Sequence, residues 1–122
     1  MNTVITGIGC DIVSISRLEP LLQKPRFLEK VYTPREQQCF AEGSSQRAAG
    51  IWAAKEAVSK ALGTGFAGFG MLDIEIDHNE KGAPVVKLHG GAKAVFEKNG
   101  CSSIQLSISH EATAALAFAV AQ

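Results

Sequence analysis

The segment from Gln46 to Leu62 constrains the rest of this chain more than any other. It is rich in strong helix formers, and Ala49, Trp52, Ala53, Ala57, Ala61 and Leu62 cover much of a helix's circumference. A helix that is apolar nearly all round has to be buried, so it is expected to run through the centre of the fold. A serine at the end of the loop Glu42-Gly43-Ser44-Ser45 should cap its start, and Gly63 and Gly65 should end it. Against that background Lys55, Glu56 and Lys60 stand out as charges in an apolar run.

The flanking segments supply what would surround such a helix. Thr3 to Val13 is β-branched and interrupted by Gly7 and Gly9, which suits a strand that bends or bulges before ending at Asp11. From Ser14 the spacing of Ile15, Leu18, Leu21 and Leu22 is helical, with Pro20 marking a break or a first-turn proline. After Pro25, Phe27 to Val31 reads as a short amphipathic turn or helix. Thr33-Pro34-Arg35-Glu36 reads as an N-cap, a proline at the first helical position, and a helix to about Ala41. Leu72, Ile74 and Ile76 alternate with acids, His78 to Pro84 turns, and Val85 to Leu88 returns. Gly90 to Lys98 is a short helix, and Ile104 to Ile108 and Leu116 to Val120 form a last pair of strands joined across His110 to Thr113. The short late connections require antiparallel pairing, so the fold class is α+β, an antiparallel sheet packed around one long central helix.

At 122 residues the chain is expected to be one domain, 1–122. Its zero formal net charge argues against bulk attraction to nucleic acid or membrane, while leaving room for a local basic cluster. Three widely spaced cysteines, Cys10, Cys39 and Cys101, signal neither a disulfide framework nor a zinc site, and reduced thiols point to the cytoplasm. The apolar tail from Ala112 to Ala121 is about half the length of a membrane span and reads as a buried strand.

Gly7-Ile8-Gly9-Cys10-Asp11-Ile12 is not a dinucleotide-binding turn, because the third glycine is absent and β-branched residues stand where a helix should begin. Asp11 is either a solvated strand end or helix cap, or a carboxylate held for a purpose. Glu56 and Lys60, one turn apart, are either a surface ion pair or part of a site. Ala53, Ala54, Ala57 and Ala61 are small enough to leave room for a ligand beside them. Asp11, Glu56 and Lys60 together would suit magnesium and a phosphate: magnesium takes one or two protein carboxylates plus phosphate oxygens, and a lysine neutralises the remaining charge.

Gly7 to Val13 resembles the opening Gly-x-Asp-Ile/Leu-Val motif of the holo-acyl-carrier-protein synthases, a 4′-phosphopantetheinyl transferase family. Trp52-Ala53-Ala54-Lys55-Glu56-Ala57-Val58-Ser59-Lys60-Ala61-Leu62-Gly63-Thr64-Gly65 closely resembles their second signature. Phe27 to Thr33 and Leu106 to Glu111 resemble further family segments in the same order. The resemblance implies the phosphopantetheinyl transferase fold and a transfer of 4′-phosphopantetheine from coenzyme A to a serine of apo-acyl carrier protein, releasing adenosine 3′,5′-bisphosphate in support of fatty acid biosynthesis. It implies that Asp11 and Glu56 bind magnesium with the coenzyme pyrophosphate. By the same likeness Lys60 contacts that phosphate, with Gly63 and His110 near the coenzyme, and Glu56 and Lys60 carry the catalysis. Arg17, and less directly Lys24, would dock the acidic recognition helix of the carrier. A homotrimer with each coenzyme site between neighbouring subunits is also implied.

One position departs from the pattern. Many relatives carry an arginine just before the tryptophan or phenylalanine of the second signature, and here that place is Ile51. Arg47, one turn earlier, is the candidate to supply the missing charge. Two other readings remain: a carrier-binding module without catalysis, and a structural oligomer in which Glu56 and Lys60 are surface ions. The identity of the general base, Glu56 or a water oriented by Asp11 or Glu56, is left open by the residues.

Overall fold

Two glycines let the first strand lie directly on the backbone of the long helix, and the rest of the architecture follows that contact. The computed structural model describes residues 4–122, so the predicted strand start at Thr3 lies outside the described residues. Strand β1 (Gly7–Ser14) leads into helices α1 (Ile15–Leu22), α2 (Pro25–Val31) and α3 (Pro34–Cys39), and then into α4 (Ser45–Ala61). A single 3-10 turn at Met71–Asp73 precedes the hairpin β2 (Ile74–His78) and β3 (Pro84–Leu88). Helix α5 (Gly90–Lys98) and the strands β4 (Ile104–His110) and β5 (Ala114–Ala121) complete the chain. The fold is α+β, with every strand pairing antiparallel.

The sheet is divided. Strands β1, β5 and β4 form one sheet in that order, with β5 between its partners, and β2 and β3 form a separate hairpin. The three-stranded sheet covers α4, whose Ala48, Ala49, Ala53, Ala54, Ala57 and Ala61 are all buried. β1 pairs with β5 without interruption from Gly7 opposite Ala121 to Ser14 opposite Ala114, so the predicted bulge is absent and the strand continues past Asp11. The glycines serve another purpose: a Cβ on Gly7 would stand 1.9 Å from the Ala61 carbonyl oxygen, and one on Gly9 1.9 Å from that of Ala57. Only hydrogen fits between this strand and this helix.

The same closeness explains β5. Ala115, Ala117, Ala119 and Ala121 face the helix, fully buried, while the larger Leu116 and Phe118 point outward. The tail is therefore a strand, as its composition suggested, with its small residues inside. The alanines of α4 likewise make room for strands rather than for a ligand.

Three local details differ from the sequence reading. α1 continues past Pro20 to Leu22, because the backbone bond that proline cannot make falls toward the exposed Ser16 while Ile15 and Leu18 are buried. α3 stops at Cys39, and Leu72 and Asp73 belong to the 3-10 turn rather than to β2. Thr33 and Glu36 form a reciprocal capping box as the α3 sequence suggests.

Glu36 does more than cap. Its Oε1 lies 2.6 Å from Lys55 Nζ and accepts from the Thr33 N–H, and its Oε2 accepts from the Ile76 N–H at 2.7 Å. Lys55 also donates to the Met71 carbonyl at 2.9 Å. Both side chains are fully buried, and burial pushes the Lys55 ammonium below its usual range while Glu36 opposes that shift. This pair joins α3, α4 and the β2 hairpin through two buried charges that compensate each other.

Two outcomes follow from these contacts. Gly9→Ala is expected to cost about 3 kcal/mol or more, read from the midpoint of urea unfolding, because a backbone oxygen cannot move aside as a side chain can. A loss below about 1 kcal/mol would show that the strand is not held against the helix. Lys55→Met, which strands the Glu36 carboxylate in the core, is expected to cost about 3–5 kcal/mol in the same measurement. Adding Glu36→Gln to it should recover part of that loss.

Candidate active site

Side chains of a strand alternate, so Asp11 shares the inward row of β1 with Gly7 and Gly9. Those glycines bring that row against α4, and Asp11 arrives beside the outer edge of the helix. Lys60 Nζ donates to Asp11 Oδ1 at 3.2 Å and to the Cys10 carbonyl at 2.9 Å. Asp11 is thus neither a strand end nor a helix cap: the cap of α1 is Ser14, three residues on.

Glu56 stands one turn before Lys60, and Lys60 forms its ion pair across to Asp11. Burial first, and the charge of Asp11 second, push the Glu56 carboxyl above its ordinary range; Lys60 and a hydrogen bond from the Trp52 side chain pull the other way. The Trp52 indole is held edge-on to Phe27, with ring centroids 5.3 Å apart. Two carboxylates and one ammonium, 45 and 49 residues apart in sequence, therefore converge on one patch with an excess of negative charge. The isolated surface pair of Glu56 with Lys60 gives way to this cluster. Among the described residues no group of three or more His, Cys, Asp and Glu side chains is assembled.

Of the remaining sequence candidates, Gly63 lies near the cluster and the others lie elsewhere. Gly63 follows the C-cap Leu62, takes φ of 87°, and donates its N–H to the Lys60 carbonyl, ending α4 close to the cluster. His110 is the last residue of β4 and lines a groove of about 540 Å3 together with Arg47, Ile51 and Ile108. That groove shares no residue with the Asp11, Glu56 and Lys60 cluster. Ile51 is a core residue, 2% exposed, whereas the exposed Arg47 donates from Nη1 to the Cys39 carbonyl at 3.2 Å. Arg17 on α1 and Lys24 at the start of α2 are both exposed and are not part of the cluster.

Sequence reasoning missed the role of Lys55, which shares the charged run of α4 but points into the core. A lone lysine among buried alanines was the available signal, yet nothing marked Glu36 as its partner. His78 in the groove also escaped notice, since a histidine at a hairpin end looks like an ordinary turn residue.

The chain is similar to known proteins over nearly its whole length. A holo-(acyl-carrier-protein) synthase of Clostridium acetobutylicum is 44% identical over 120 residues, spanning 96% of this chain and 97% of that one. The crystal structure of Helicobacter pylori holo-(acyl-carrier-protein) synthase in complex with coenzyme A superposes with a TM-score of 0.85 at 38% identity, covering 94% of this chain and 99% of that one. A Bacillus anthracis holo-(acyl-carrier-protein) synthase, in complex with coenzyme A (3′,5′-ADP), gives a TM-score of 0.79 at 34% identity, covering 96% of each chain. The profile of the 4′-phosphopantetheinyl transferase superfamily matches residues 7–119, and the chain belongs to that family.

Proposed function

We propose that this protein is a magnesium-dependent holo-acyl-carrier-protein synthase, acting as one domain over its whole length. It moves 4′-phosphopantetheine from coenzyme A to a serine of apo-acyl carrier protein and so supports fatty acid biosynthesis. The observation that carries this reading is the convergence of Asp11, Glu56 and Lys60. A metal fits that cluster on its own chemistry. Hard carboxylate oxygens, two of them repelling each other, match an ion that takes few protein ligands and completes its shell with water and phosphate oxygens. When bound, magnesium would neutralise charge on the coenzyme pyrophosphate.

The reaction forms a bond between the serine oxygen and the β-phosphorus of coenzyme A and breaks the pyrophosphate bridge, expelling adenosine 3′,5′-bisphosphate. The serine proton has to leave. Glu56, or a water oriented by Asp11 or Glu56, would accept it. Lys60 sits one turn away on α4 to stabilise charge building on the phosphates, and the rigid helix holds both groups in place.

Partners follow from the surface. Arg17 and Lys24, both exposed, offer positive charge to an acidic helix of the carrier. The outer face of the large sheet carries Ile8 and Ile12, 61% and 69% exposed, next to Leu116 and Phe118. A patch of that kind on a water-facing sheet calls for cover, and a homotrimer of this chain provides it. In that assembly the Asp11 cluster of one copy and the His110 groove of its neighbour would share a single coenzyme, with Gly63 flanking the first. Three free thiols and the absence, among the described residues, of any helix able to cross a membrane suit a cytoplasmic enzyme.

Incubation with apo-carrier, coenzyme A and magnesium is expected to add one phosphopantetheine to the carrier by intact mass. Glu56→Gln should abolish the addition without unfolding the protein. Near-normal transfer by that variant at saturating magnesium would remove Glu56 from the mechanism. Stability gives a second readout. Because the folded-state pKa of Glu56 is raised, its protonated form is favoured, and stability is lost as pH climbs from the ordinary carboxylate range through the raised value. In chelator at neutral pH, Glu56→Gln should therefore melt above the wild type, and added magnesium should raise the melting temperature of the wild type alone. Equal magnesium stabilisation of both proteins would place the ion elsewhere.

A further inference from the structure

Lys60 stands in the least secure part of α4. It lies two residues before the C-cap Leu62, in the last turn, where helix carbonyls run out of partners along the chain. Its side chain is half-exposed, so its placement depends on the backbone of that turn and on its contacts with the Cys10 carbonyl and Asp11 Oδ1. Most of the turn closes on itself: the Leu62 N–H donates to the Val58 carbonyl, the Gly63 N–H to that of Lys60 and the Gly65 N–H to that of Ser59. The Leu62 carbonyl comes after this closure. The chain turns away at Gly63, with φ of 87°, and Leu62 is only 2% exposed, so water is a poor partner for that carbonyl.

A partner comes from α5. Asn99 Nδ2 donates to the Leu62 carbonyl at 2.9 Å, across 37 residues of sequence. Helix α5 does not need that amide for its own end: the Asn99 N–H donates to the Val95 carbonyl, and Gly100, with φ of 73°, donates to that of Glu97. The start of α5 is seated on the same stretch of chain. A Cβ on Gly91 would stand 2.5 Å from the Gly68 carbonyl oxygen, and the next residue, Ala92, is fully buried. The helix therefore rests at one end on the segment that follows α4 and grips the C-cap carbonyl of α4 at the other.

We infer that Asn99 is a positioning residue: by holding the end of α4 it fixes Lys60 against β1, in place for the coenzyme phosphates. The inference rests on the proposed phosphate contact of Lys60 and deepens it. Without the Asn99 amide the Leu62 carbonyl is left unpaired, and the last turn of α4 opens more often. A binding group in place for only part of the time lowers the apparent affinity by that fraction.

The test is calorimetric binding of coenzyme A, with magnesium present, to the wild type, Asn99→Ala, Lys60→Met and the double variant. Asn99→Ala should bind roughly threefold to tenfold more weakly than the wild type. In the Lys60→Met background the same substitution should have no further effect, because the group it positions is gone. A purely structural role for Asn99 would weaken both backgrounds equally. Amide hydrogen exchange supplies a local readout: in Asn99→Ala the Gly63 and Gly65 N–H groups should exchange faster, while those of Leu116 and Phe118 in the central strand β5 keep wild-type rates. Equal losses in the two backgrounds, unchanged coenzyme affinity in Asn99→Ala, unchanged exchange at Gly63 and Gly65, or no coenzyme binding by the wild type would each overturn the inference. Binding requires no transfer, so the expected binding pattern from a protein that never modifies the carrier would sink the proposed reaction and leave the assignment of Asn99 standing.

Discussion

The contact between β1 and α4 is the constraint on which the rest depends. Gly7 and Gly9 let the strand rest on the carbonyl oxygens of Ala61 and Ala57. Since strand side chains repeat every second residue, the next inward position is Asp11. A carboxylate is thus delivered to the helix edge by residues that have no chemistry of their own. The alanines of β5 and α4 belong to the same arrangement, because a larger residue in either row would lift the sheet and carry Asp11 away from Lys60.

A second, fully buried interaction fixes the other side of the helix. Glu36 caps α3, accepts from the β2 backbone and pairs with Lys55, so that one carboxylate ties three elements to α4. Its desolvation makes the pair a weak source of net stability, but either charge left alone is costly. What it secures is the place of the β2–β3 hairpin, which carries His78 to the groove. Adjacent residues on one helix therefore have different duties, with Lys55 directed inward to hold the hairpin and Glu56 close enough to Asp11 to feel its charge.

Much of this was legible in the sequence, and the remainder was hidden for physical reasons. The apolar circumference of Gln46 to Leu62 is a local signal, and it correctly marks a central helix. Alternation over Ile104 to Ile108 and the Thr33–Glu36 cap are equally local, and both appear where expected. The meaning of Gly7 and Gly9 is not local, since a bulge and a close approach to another element call for the same residue. Which of Lys55, Glu56 and Lys60 faces the core depends on partners from α3 and β1 that no spacing reveals. The separation of the His110 groove from the Asp11 cluster likewise emerges only in three dimensions.

Within one chain the acidic cluster and the cationic groove are two halves of different character, one suited to a metal and pyrophosphate, the other to a nucleotide. The proposed homotrimer would unite them across copies, letting a small fold handle a long coenzyme. The most direct measurement is a double-mutant cycle on kcat/KM for carrier modification with Asp11→Asn and Glu56→Gln. If the two carboxylates act as one unit, the double variant should lose little more than the worse single variant. Losses that simply add would mean that Asp11 and Glu56 work independently, and the account built on their convergence would be wrong.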